Sequence, residues 1–337
     1  MVRTAVAAFP NRGFARRLAD HASFAASALA GARRAGSADV VVVETPPLFL
    51  AAAGVLYARR LGARLIVNVA DLWPDSAIEL GLLTSPASIR AARALERFAY
   101  RHAAVVTAPT AGIVDALSRR ADGPNRTIHI PPFVDRRRFE LPAASRRDGA
   151  LRVLYAGTIG LAHGLETLVE AARIAGPDTV HVTIAGGGAE LDAIRKAAAE
   201  RAPGNVHVLG IVSADRVPQL YAKADVAVVL LRNRSVFEGA VPTKIFEAMA
   251  AGRPLVLSAA GEAAALVERY ACGVVVPPES PRALAAAFEQ IALDHDGRQR
   301  LGLAGVRAAA AHDVDRAVDS WQGLLERLDS RALMPQP

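Results

Sequence analysis

A chain of 337 residues with 52% hydrophobic residues exceeds one ordinary folding core and predicts two domains. Its single cysteine excludes an internal disulfide and favours a reducing, cytoplasmic compartment. No apolar run reaches the ~20 residues that a membrane-spanning helix needs. The formal net charge is +7, so the partners to consider first are anionic.

The charge is concentrated in the first part of the chain. Residues 1–149 hold 21 basic and 12 acidic residues, whereas residues 150–337 hold 19 and 21. A basic first half predicts an anionic surface or an anionic substrate. Its arginine clusters, such as 136–138, suit anionic lipid head groups at the inner membrane face. Nucleic acid is disfavoured as a partner, because aromatic residues make up only 5% and no basic stretch is interleaved with them. The alternative is an arginine-rich composition without a specific partner.

The first predicted element is an amphipathic helix over residues 14–34. Phe14, Leu18, Ala25 and Leu29 fall on one of its faces. A helix of this kind lies on a membrane surface or, more commonly, packs on its own sheet. The sequence leaves both alternatives open.

Strands and helices alternate through the rest of the first half. The predicted strands are 40–44, 65–69, 104–107 and 127–130, and the helices are 48–61, 86–101 and 110–120. Residues 131–149 are rich in proline and charge, which is typical of a domain boundary. We therefore predict a first domain over 1–135, a linker over 136–149 and a second domain over 150–330.

The second half repeats this alternation more regularly. Its predicted strands are 151–156, 180–185, 206–209, 225–231, 254–258 and 273–276, and its helices are 164–175, 189–201, 215–223, 243–251, 262–269, 281–294, 297–311 and 314–328. Short, continuously apolar strands separated by helices predict a parallel, doubly wound sheet. The fold class is therefore α/β, with two Rossmann-like domains.

An aspartate follows a predicted strand of the first domain. Asp71 opens the segment DLWPD directly after strand 65–69, at the edge of a parallel sheet where ligands bind. A carboxylate there can bind acceptor hydroxyls or act as a base. The alternative is a turn aspartate next to a packed tryptophan.

Two glycine loops follow strands of the second domain, over residues 157–164 and 186–188. Glycines allow the backbone to approach a phosphate closely. A dinucleotide site would look similar, but it needs an acidic residue at the end of the next strand, and here that position is glycine. An NAD-dependent enzyme is therefore disfavoured.

The segment 237–254 carries the most specific pattern. A predicted helix begins at Pro242, Thr243 and Lys244, and Glu247 lies one turn into it. A helix N-terminus suits a diphosphate, and a glutamate one turn later suits sugar or ribose hydroxyls. This pairing indicates a nucleotide-sugar site. The alternative is an ordinary helix start with proline at its first position.

No metal site is expected. Residues 294–296 read Asp-His-Asp, but they follow a helix rather than a strand, so we interpret them as a solvated turn between helices. No His/Cys cluster has the spacing of metal ligands.

Taken together, these segments resemble retaining GT-B-fold glycosyltransferases of family 4, similar to the colanic-acid and L-fucosamine transferases of O-antigen and exopolysaccharide assembly. The resemblance covers nearly the whole chain. The matching segments are DLWPDSAIELGLL (71–83), IPPFVDRRRF (130–139), LYAGTIGLAHGLETLVEAA (154–172), IAGGGAEL (184–191), LYAKADVAVVLL (220–231), FEGAVPTKIFEAMAAGRPLV (237–256) and CGVVVPPESPRAL (272–284).

The resemblance implies that the second domain binds a nucleotide-sugar donor. Glu247 would then bind the donor ribose, and Thr243 and Lys244 would hold the diphosphate. Since no metal or other cofactor is expected, Lys244, arginines such as Arg232 and helix dipoles would neutralise the phosphate charge.

The glycine loops and two candidate catalytic residues are assigned in the same way. Gly157 and Gly160 would line the phosphate, and Gly186 the nucleotide. Asp71 would lie on the acceptor side, where a lipid-linked saccharide is expected, and His163 would lie beside the phosphate.

The chain departs from the family pattern at three points. The acidic residue that commonly precedes Glu247 by eight positions is Gly239 here, and the adjacent Glu238 is an uncertain substitute. His163 replaces a phosphate-binding lysine. The opening VRTAVAAFPNRGF resembles the middle of the usual N-terminal domain, so we expect that domain to be shortened, through a misassigned start, a fragment or a truncation.

Three functions remain open on the sequence. The favoured one is a glycosyltransferase acting at the cytoplasmic membrane face in cell-surface polysaccharide synthesis. The second is a nucleotide-sugar 2-epimerase of the same two-domain plan. The third is a truncated, inactive glycosyltransferase remnant.

Overall fold

The computed structural model describes residues 14–32, 34, 36–120, 126–139 and 149–330. Its described residues divide into two compact units. The first comprises residues up to Pro131 and those from Asp319 onward, and the second comprises Pro132–Val318. Each unit is a parallel sheet with helices, which confirms the predicted α/β class with two Rossmann-like domains.

The first unit contains a four-stranded parallel sheet in the order β1-β2-β3-β4. Its elements are α1 (Phe14–Ala32), β1 (Val40–Thr45), α2 (Leu48–Leu61), β2 (Arg64–Val69), α3 (Asp75–Glu79), α4 (Pro86–His102), β3 (Val105–Ala108), α5 (Ala111–Ser118) and β4 (Thr127–His129). The predicted strands agree with these bounds to within one residue. Helix α3 was not predicted, because five residues are too few to show a helical period.

Helix α1 packs against α2 in the same unit. Ala25 is buried, and the hydroxyl of Tyr57 donates a hydrogen bond to the carbonyl oxygen of Ala32 at 2.7 Å. The side chains of Phe14 and Leu18, at the start of the predicted apolar face, lie outside the described part. Where its side chains are described, the helix packs on its own unit, as in the commoner of the two alternatives. No described helix is both long and apolar enough to cross a membrane.

The second unit contains a six-stranded parallel sheet in the order β10-β9-β8-β5-β6-β7. Its elements are β5 (Leu151–Ala156), α6 (Glu166–Ala175), β6 (Val180–Ala185), α7 (Leu191–Arg201), β7 (Val206–Gly210), α8 (Val217–Lys223), β8 (Val226–Leu230), α9 (Lys244–Ala250), β9 (Leu255–Ser258), α10 (Glu262–Arg269), β10 (Gly273–Val276), α11 (Pro281–Leu293) and α12 (His295–Ala309). All residues of β8 are buried, as a strand covered on both faces requires. The chain starts the sheet at its centre with β5 and builds outward on both sides, so the predicted doubly wound sheet is confirmed.

The last helix connects the two units. Helix α13 (Val314–Ser330) begins in the second unit, but Leu324 and Leu328 are buried in a core cluster with Ile66 of the first sheet. The predicted second domain extended to residue 330, whereas the structure assigns the residues from Asp319 to the first unit. The physical reason is that the apolar face of this helix covers the first sheet.

Part of the predicted linker belongs to the second unit. The amide of Val134 donates to His312 O at 2.8 Å, and Arg136 forms an ion pair with Asp313. Arg136–Arg138 form one 3-10 turn, and residues 140–148 lie outside the described part. The second unit therefore begins before residue 136.

Candidate functional site

The strand order of the second sheet reverses between β5 and β8. In doubly wound sheets, ligands bind outside the carboxyl ends of the strands at such a switch point. The loop after β5 holds the first glycine loop, and the loop after β8 leads into α9. The topology therefore brings the two predicted donor-site segments to one edge of the sheet.

The two glycine loops pack backbone to backbone at this edge. Gly157 and Gly186 have φ values of 147° and 148°, and a Cβ atom on Gly186 would lie 1.8 Å from Gly157 O. A Cβ atom on Gly157 would lie 2.9 Å from Lys244 Nζ. Close packing against backbone thus requires glycine at Gly186, whereas at Gly157 the positive φ favours glycine and the crowding atoms belong to the Lys244 side chain. Gly160 has no such constraint, and its carbonyl accepts a hydrogen bond from the amide of His163 at 3.0 Å.

Lys244, the first residue of α9, is buried at 8% exposure beneath Gly157. Its Nζ donates to the hydroxyl oxygen of Tyr155 at 2.8 Å and lies 4.3 Å from the centroid of that ring. No carboxylate of the described residues forms an ion pair with it. Burial lowers the pKa of Lys244 to about 7, and the negative charge of Glu247 opposes this shift.

Glu247 lies one turn further along α9, partly buried. The hydroxyl of Tyr221 on α8 lies 3.3 Å from its Oε2 and donates to it. Burial raises the pKa of Glu247, while the hydrogen bond from Tyr221 and the charges of Lys244 and Arg138 act in the opposite direction. The structure therefore places Lys244 and Glu247 on one short helix, as predicted.

The start of α9 offers fewer free amides than the sequence suggested. The amides of Ile245 and Phe246 donate at 3.0 Å to Pro242 O and Thr243 O, respectively. Thr243 is exposed, and its side chain makes no capping hydrogen bond. Because α9 has only seven residues, its dipole is weak, and the side chains of Lys244 and Glu247 are the stronger candidates for contact with a ligand.

His163 is placed beside Tyr155 and Lys244. Its ring packs edge-on against Tyr155 with centroids 6.0 Å apart, and its Nδ1 lies 3.1 Å from Leu230 O. Burial, together with the charge of Lys244, lowers the pKa of His163 to about 3. Since a carbonyl oxygen only accepts, Nδ1 carries the proton and Nε2 is left as an acceptor. A neutral imidazole supplies no positive charge, so His163 does not replace the charge of the family lysine.

Arg232, expected to neutralise phosphate charge, is already paired in this structure. Its Nε donates to Leu161 O at 2.6 Å and its Nη1 to Glu279 Oε1 at 3.0 Å. Its Nη2 donates to Glu166 and lies 4.0 Å from Glu190 Oε1. The guanidinium therefore links the loops that follow β5, β6, β8 and β10 at this edge of the sheet.

Glu238 contributes its backbone to the fold. Its carbonyl oxygen accepts a hydrogen bond from the amide of Glu262 at 2.7 Å, and a Cβ atom on Gly261 would lie 2.1 Å from it. The side chain of Glu238 is exposed. At Gly239, eight positions before Glu247, there is no side chain to provide a carboxylate.

Asp71 lies in the first unit, in the loop between β2 and α3. Its Oδ2 accepts a hydrogen bond from Ser76 Oγ at 3.0 Å, and burial raises the pKa of its carboxyl group. The following Asp75 forms ion pairs with Arg93 and Arg120. These partly buried ion pairs hold the start of α3, directly after the loop that carries Asp71. Asp71 itself follows the carboxyl end of β2, as predicted.

The Asp-His-Asp segment is a helix start. Asp294 alone separates α11 from α12 and caps α12 by accepting a hydrogen bond from the Gly297 amide at 2.7 Å, whereas His295 and Asp296 already belong to the first turn of α12 rather than to a turn between helices. The described residues contain no group of three or more His, Cys, Asp or Glu side chains arranged to hold a metal ion.

Sequence reasoning missed Tyr155 and Tyr221, which contact the two candidate donor-site residues. Tyr155 stands in strand β5, which is buried at every position except Arg152. A buried tyrosine usually finds a hydrogen-bond partner for its hydroxyl, and that was the available signal.

Family models match both halves of the chain. One, described as glycosyl transferases group 1, matches residues 137–307, and the other, described as a glycosyl transferase 4-like domain, matches residues 1–133. The putative colanic acid biosynthesis glycosyl transferase WcaI of Escherichia coli (strain K12) is 27% identical over 297 residues, which are 82% of this chain and 72% of WcaI.

Solved structures share the fold over almost the full length. Sucrose-phosphate synthase from Thermosynechococcus elongatus superposes with a TM-score of 0.77 at 20% identity, covering 98% of this chain and 83% of its own. Anabaena Alr3699/HepE, solved in complex with UDP and glucose, has a TM-score of 0.73 at 19% identity, covering 96% and 84%. At these identities the likeness concerns the fold alone.

Proposed function

The chain belongs to the group 1 glycosyl transferases and has a GT-B fold, and from this premise we propose a specific reaction for it. It moves a sugar from a nucleotide-diphosphate sugar to a lipid-linked saccharide, with retention of configuration at the anomeric carbon. The setting is the synthesis of a cell-surface polysaccharide.

The observation that carries this proposal is that Lys244 and Glu247 lie one turn apart on α9, at the switch point of the second sheet. Lys244 is a buried cation with an ammonium that lacks a carboxylate partner among the described residues, and Glu247 lies one turn away. A diphosphate supplies the missing negative charge, and ribose hydroxyls supply donors for the carboxylate. That HepE was solved with UDP and glucose supports a nucleoside diphosphate as the ligand class.

The other residues take roles around this pair. Gly157, Gly160 and Gly186 provide backbone close to the diphosphate and nucleotide, and the exposed Thr243 provides a hydroxyl. Since Arg232 is paired with carboxylates, it holds the loops rather than the phosphate. Lys244 then supplies the phosphate neutralisation, and the transfer needs no metal ion.

Asp71 and the neutral His163 are proposed to act on the reacting sugars. With a raised pKa, Asp71 can accept a proton or a hydrogen bond from an acceptor hydroxyl. His163 Nε2, as an acceptor, can bind a hydroxyl of the donor sugar.

The acceptor and the membrane surface are supported by composition and by a relative's name. WcaI is named for colanic acid biosynthesis, and the first 149 residues carry an excess of basic side chains. Vesicles with anionic lipid should bind the protein at low salt and release it at high salt. A protein that stays in the supernatant at low salt would contradict the membrane part.

The donor is tested by calorimetric titration with UDP-, GDP- and dTDP-sugars in buffer containing EDTA. We expect one nucleotide class to bind, with turnover only after a lipid-linked saccharide is added and with an anomeric product configuration, read by NMR, equal to that of the donor. Conversion of the nucleotide sugar without an acceptor would indicate the epimerase instead. A folded, monodisperse protein that binds none of them would support the inactive remnant.

A further inference from the structure

Tyr155 lies at the end of the central strand β5, directly against Lys244. Its side chain is fully buried, and its hydroxyl donates to the carbonyl oxygen of Thr158 at 2.5 Å. Because its single proton is used in this bond, the hydroxyl oxygen can only accept from Lys244 Nζ. The hydrogen bond to Thr158 thus fixes the orientation of the Tyr155 hydroxyl, and with it the position of the Lys244 amine.

The protonated Lys244 amine has more hydrogen-bond donors than the described residues use. A protonated lysine has three N–H donors, and among the described residues Nζ is hydrogen-bonded to Tyr155 alone. The contact with Gly157 places this amine directly under the first glycine loop. The remaining donors therefore lie where the diphosphate is proposed to bind.

We propose that Tyr155 is a positioning residue for donor binding: its hydroxyl holds the Lys244 amine under the glycine loop, where it takes up a proton when the diphosphate binds. The inference rests on the proposed function, because it takes a nucleotide-diphosphate sugar as the ligand. Beyond that function, it assigns a role to Tyr155 and couples donor binding to the uptake of a proton by Lys244.

Within the described part of the chain, the titratable groups that face Lys244 from the neighbouring elements are Tyr155, His163, Tyr221 and Glu247. Burial raises the pKa of both tyrosines and lowers that of His163 to about 3, so these three stay neutral around neutral pH. Burial raises the pKa of the Glu247 carboxyl group. With a pKa of about 7, Lys244 is partly neutral in the free protein.

The sign of the pH dependence follows from this value. A bound diphosphate favours the charged amine and raises its pKa, so between the free and bound pKa values binding takes up a proton. Affinity for a UDP-sugar is then constant below pH 7 and falls above it, by up to about tenfold per pH unit. Loss of the tyrosine hydroxyl removes the acceptor of the ammonium, so the decrease begins at a lower pH.

NMR of protein labelled with ¹³C at lysine Cε tests the arrangement without any ligand. The chain has only three lysines, and Lys196 and Lys223 are exposed and serve as internal references. We expect Lys244 to titrate near pH 7 in the wild type and lower in Tyr155→Phe, while the references keep ordinary values. The control is Tyr57→Phe in the first unit, which removes a hydroxyl bonded to Ala32 O and should change nothing.

Calorimetry with a UDP-sugar and with uridine, or with the pair of the nucleotide class found to bind, completes the test. We expect Tyr155→Phe to weaken the nucleotide sugar about tenfold and the nucleoside hardly at all, as for the loss of one charge-assisted hydrogen bond. An unchanged Lys244 pKa in the folded variant, or equal losses for both ligands, would overturn the positioning role and leave the proposed function intact.

Two outcomes complete the test. If Tyr155→Phe does not fold, the wild-type titration decides, and a Lys244 signal that titrates together with the other two lysines overturns the inference. If the wild type binds no nucleotide sugar, the proposed function fails, and the role of Tyr155 in donor binding fails with it.

Discussion

Two cationic side chains lie against the same glycine loop of the second unit in opposite surroundings. Lys244 lies under Gly157, and among the described residues its Nζ is hydrogen-bonded to one neutral side chain, Tyr155. Arg232 lies against Gly164 and is paired with Glu166 and Glu279. A paired cation stabilises the loops of the protein itself, whereas a buried cation without a carboxylate lowers stability until an anion binds. The comparison separates a ligand-binding residue from a structural one.

The largest effect should follow from removing the unpaired cation. Lys244→Met should weaken binding of the nucleotide sugar at least about 100-fold, because the diphosphate loses its buried positive charge. It should also stabilise the free protein by about 1–3 kcal/mol at pH 7, because a buried charge is replaced by an apolar side chain. Titration calorimetry and urea unfolding measure the two quantities.

The pH dependence of stability checks the same residue. The folded-state pKa of Lys244 is lowered to about 7, so the unfolded chain binds more protons between that value and the ordinary 10.5. The destabilisation is therefore fully present below pH 7 and is lost as the pH rises through that window. Lys244→Met should abolish this rise. A variant that loses both affinity and stability would contradict the comparison.

A stability loss is expected from the paired cation. Arg232→Met should lower the free energy of unfolding by about 1–3 kcal/mol, because partly buried carboxylates lose their common partner. Donor affinity should change less than about threefold, since Arg232 makes no hydrogen bond to the ligand in this proposal and even one neutral bond would be worth about 0.5–1.5 kcal/mol. The control is Arg234→Met, whose more exposed side chain reaches Glu279 at 3.5 Å and should matter by less than about 0.5 kcal/mol. A large loss of donor affinity in Arg232→Met would show instead that Arg232 binds the phosphate.

A smaller effect should follow from neutralising the proposed ribose ligand. Glu247→Gln should weaken the nucleotide sugar and the nucleoside equally, by about tenfold, because one hydrogen bond to a charged group is lost. Thermal stability should hardly change, since the amide keeps the shape of the carboxylate. Glu268→Gln on the exposed side of α10 is the matched control. Unequal losses of affinity for the two ligands would contradict the proposed contact between Glu247 and the ribose.

Much of the fold could be predicted because its signals are local. The continuous apolar run of β8 and the alternation around it gave strand bounds within two residues of those observed. Helix α13 shows the limit. Its period predicted a helix but not that Leu324 and Leu328 would pack on the first sheet, because an apolar face does not specify its partner.

Spacing along short segments was enough to predict the two α/β units, the glycine loops after β5 and β6, and the placing of Lys244 and Glu247 one turn apart. Which charges are paired, in contrast, is visible only in the folded protein. Tyr155 meets Lys244 across 89 residues and Arg232 meets Glu166 across 66, through the return of the chain to neighbouring strands. Pairing is set by distance in space and by burial, and neither quantity can be read from the spacing of residues along the chain.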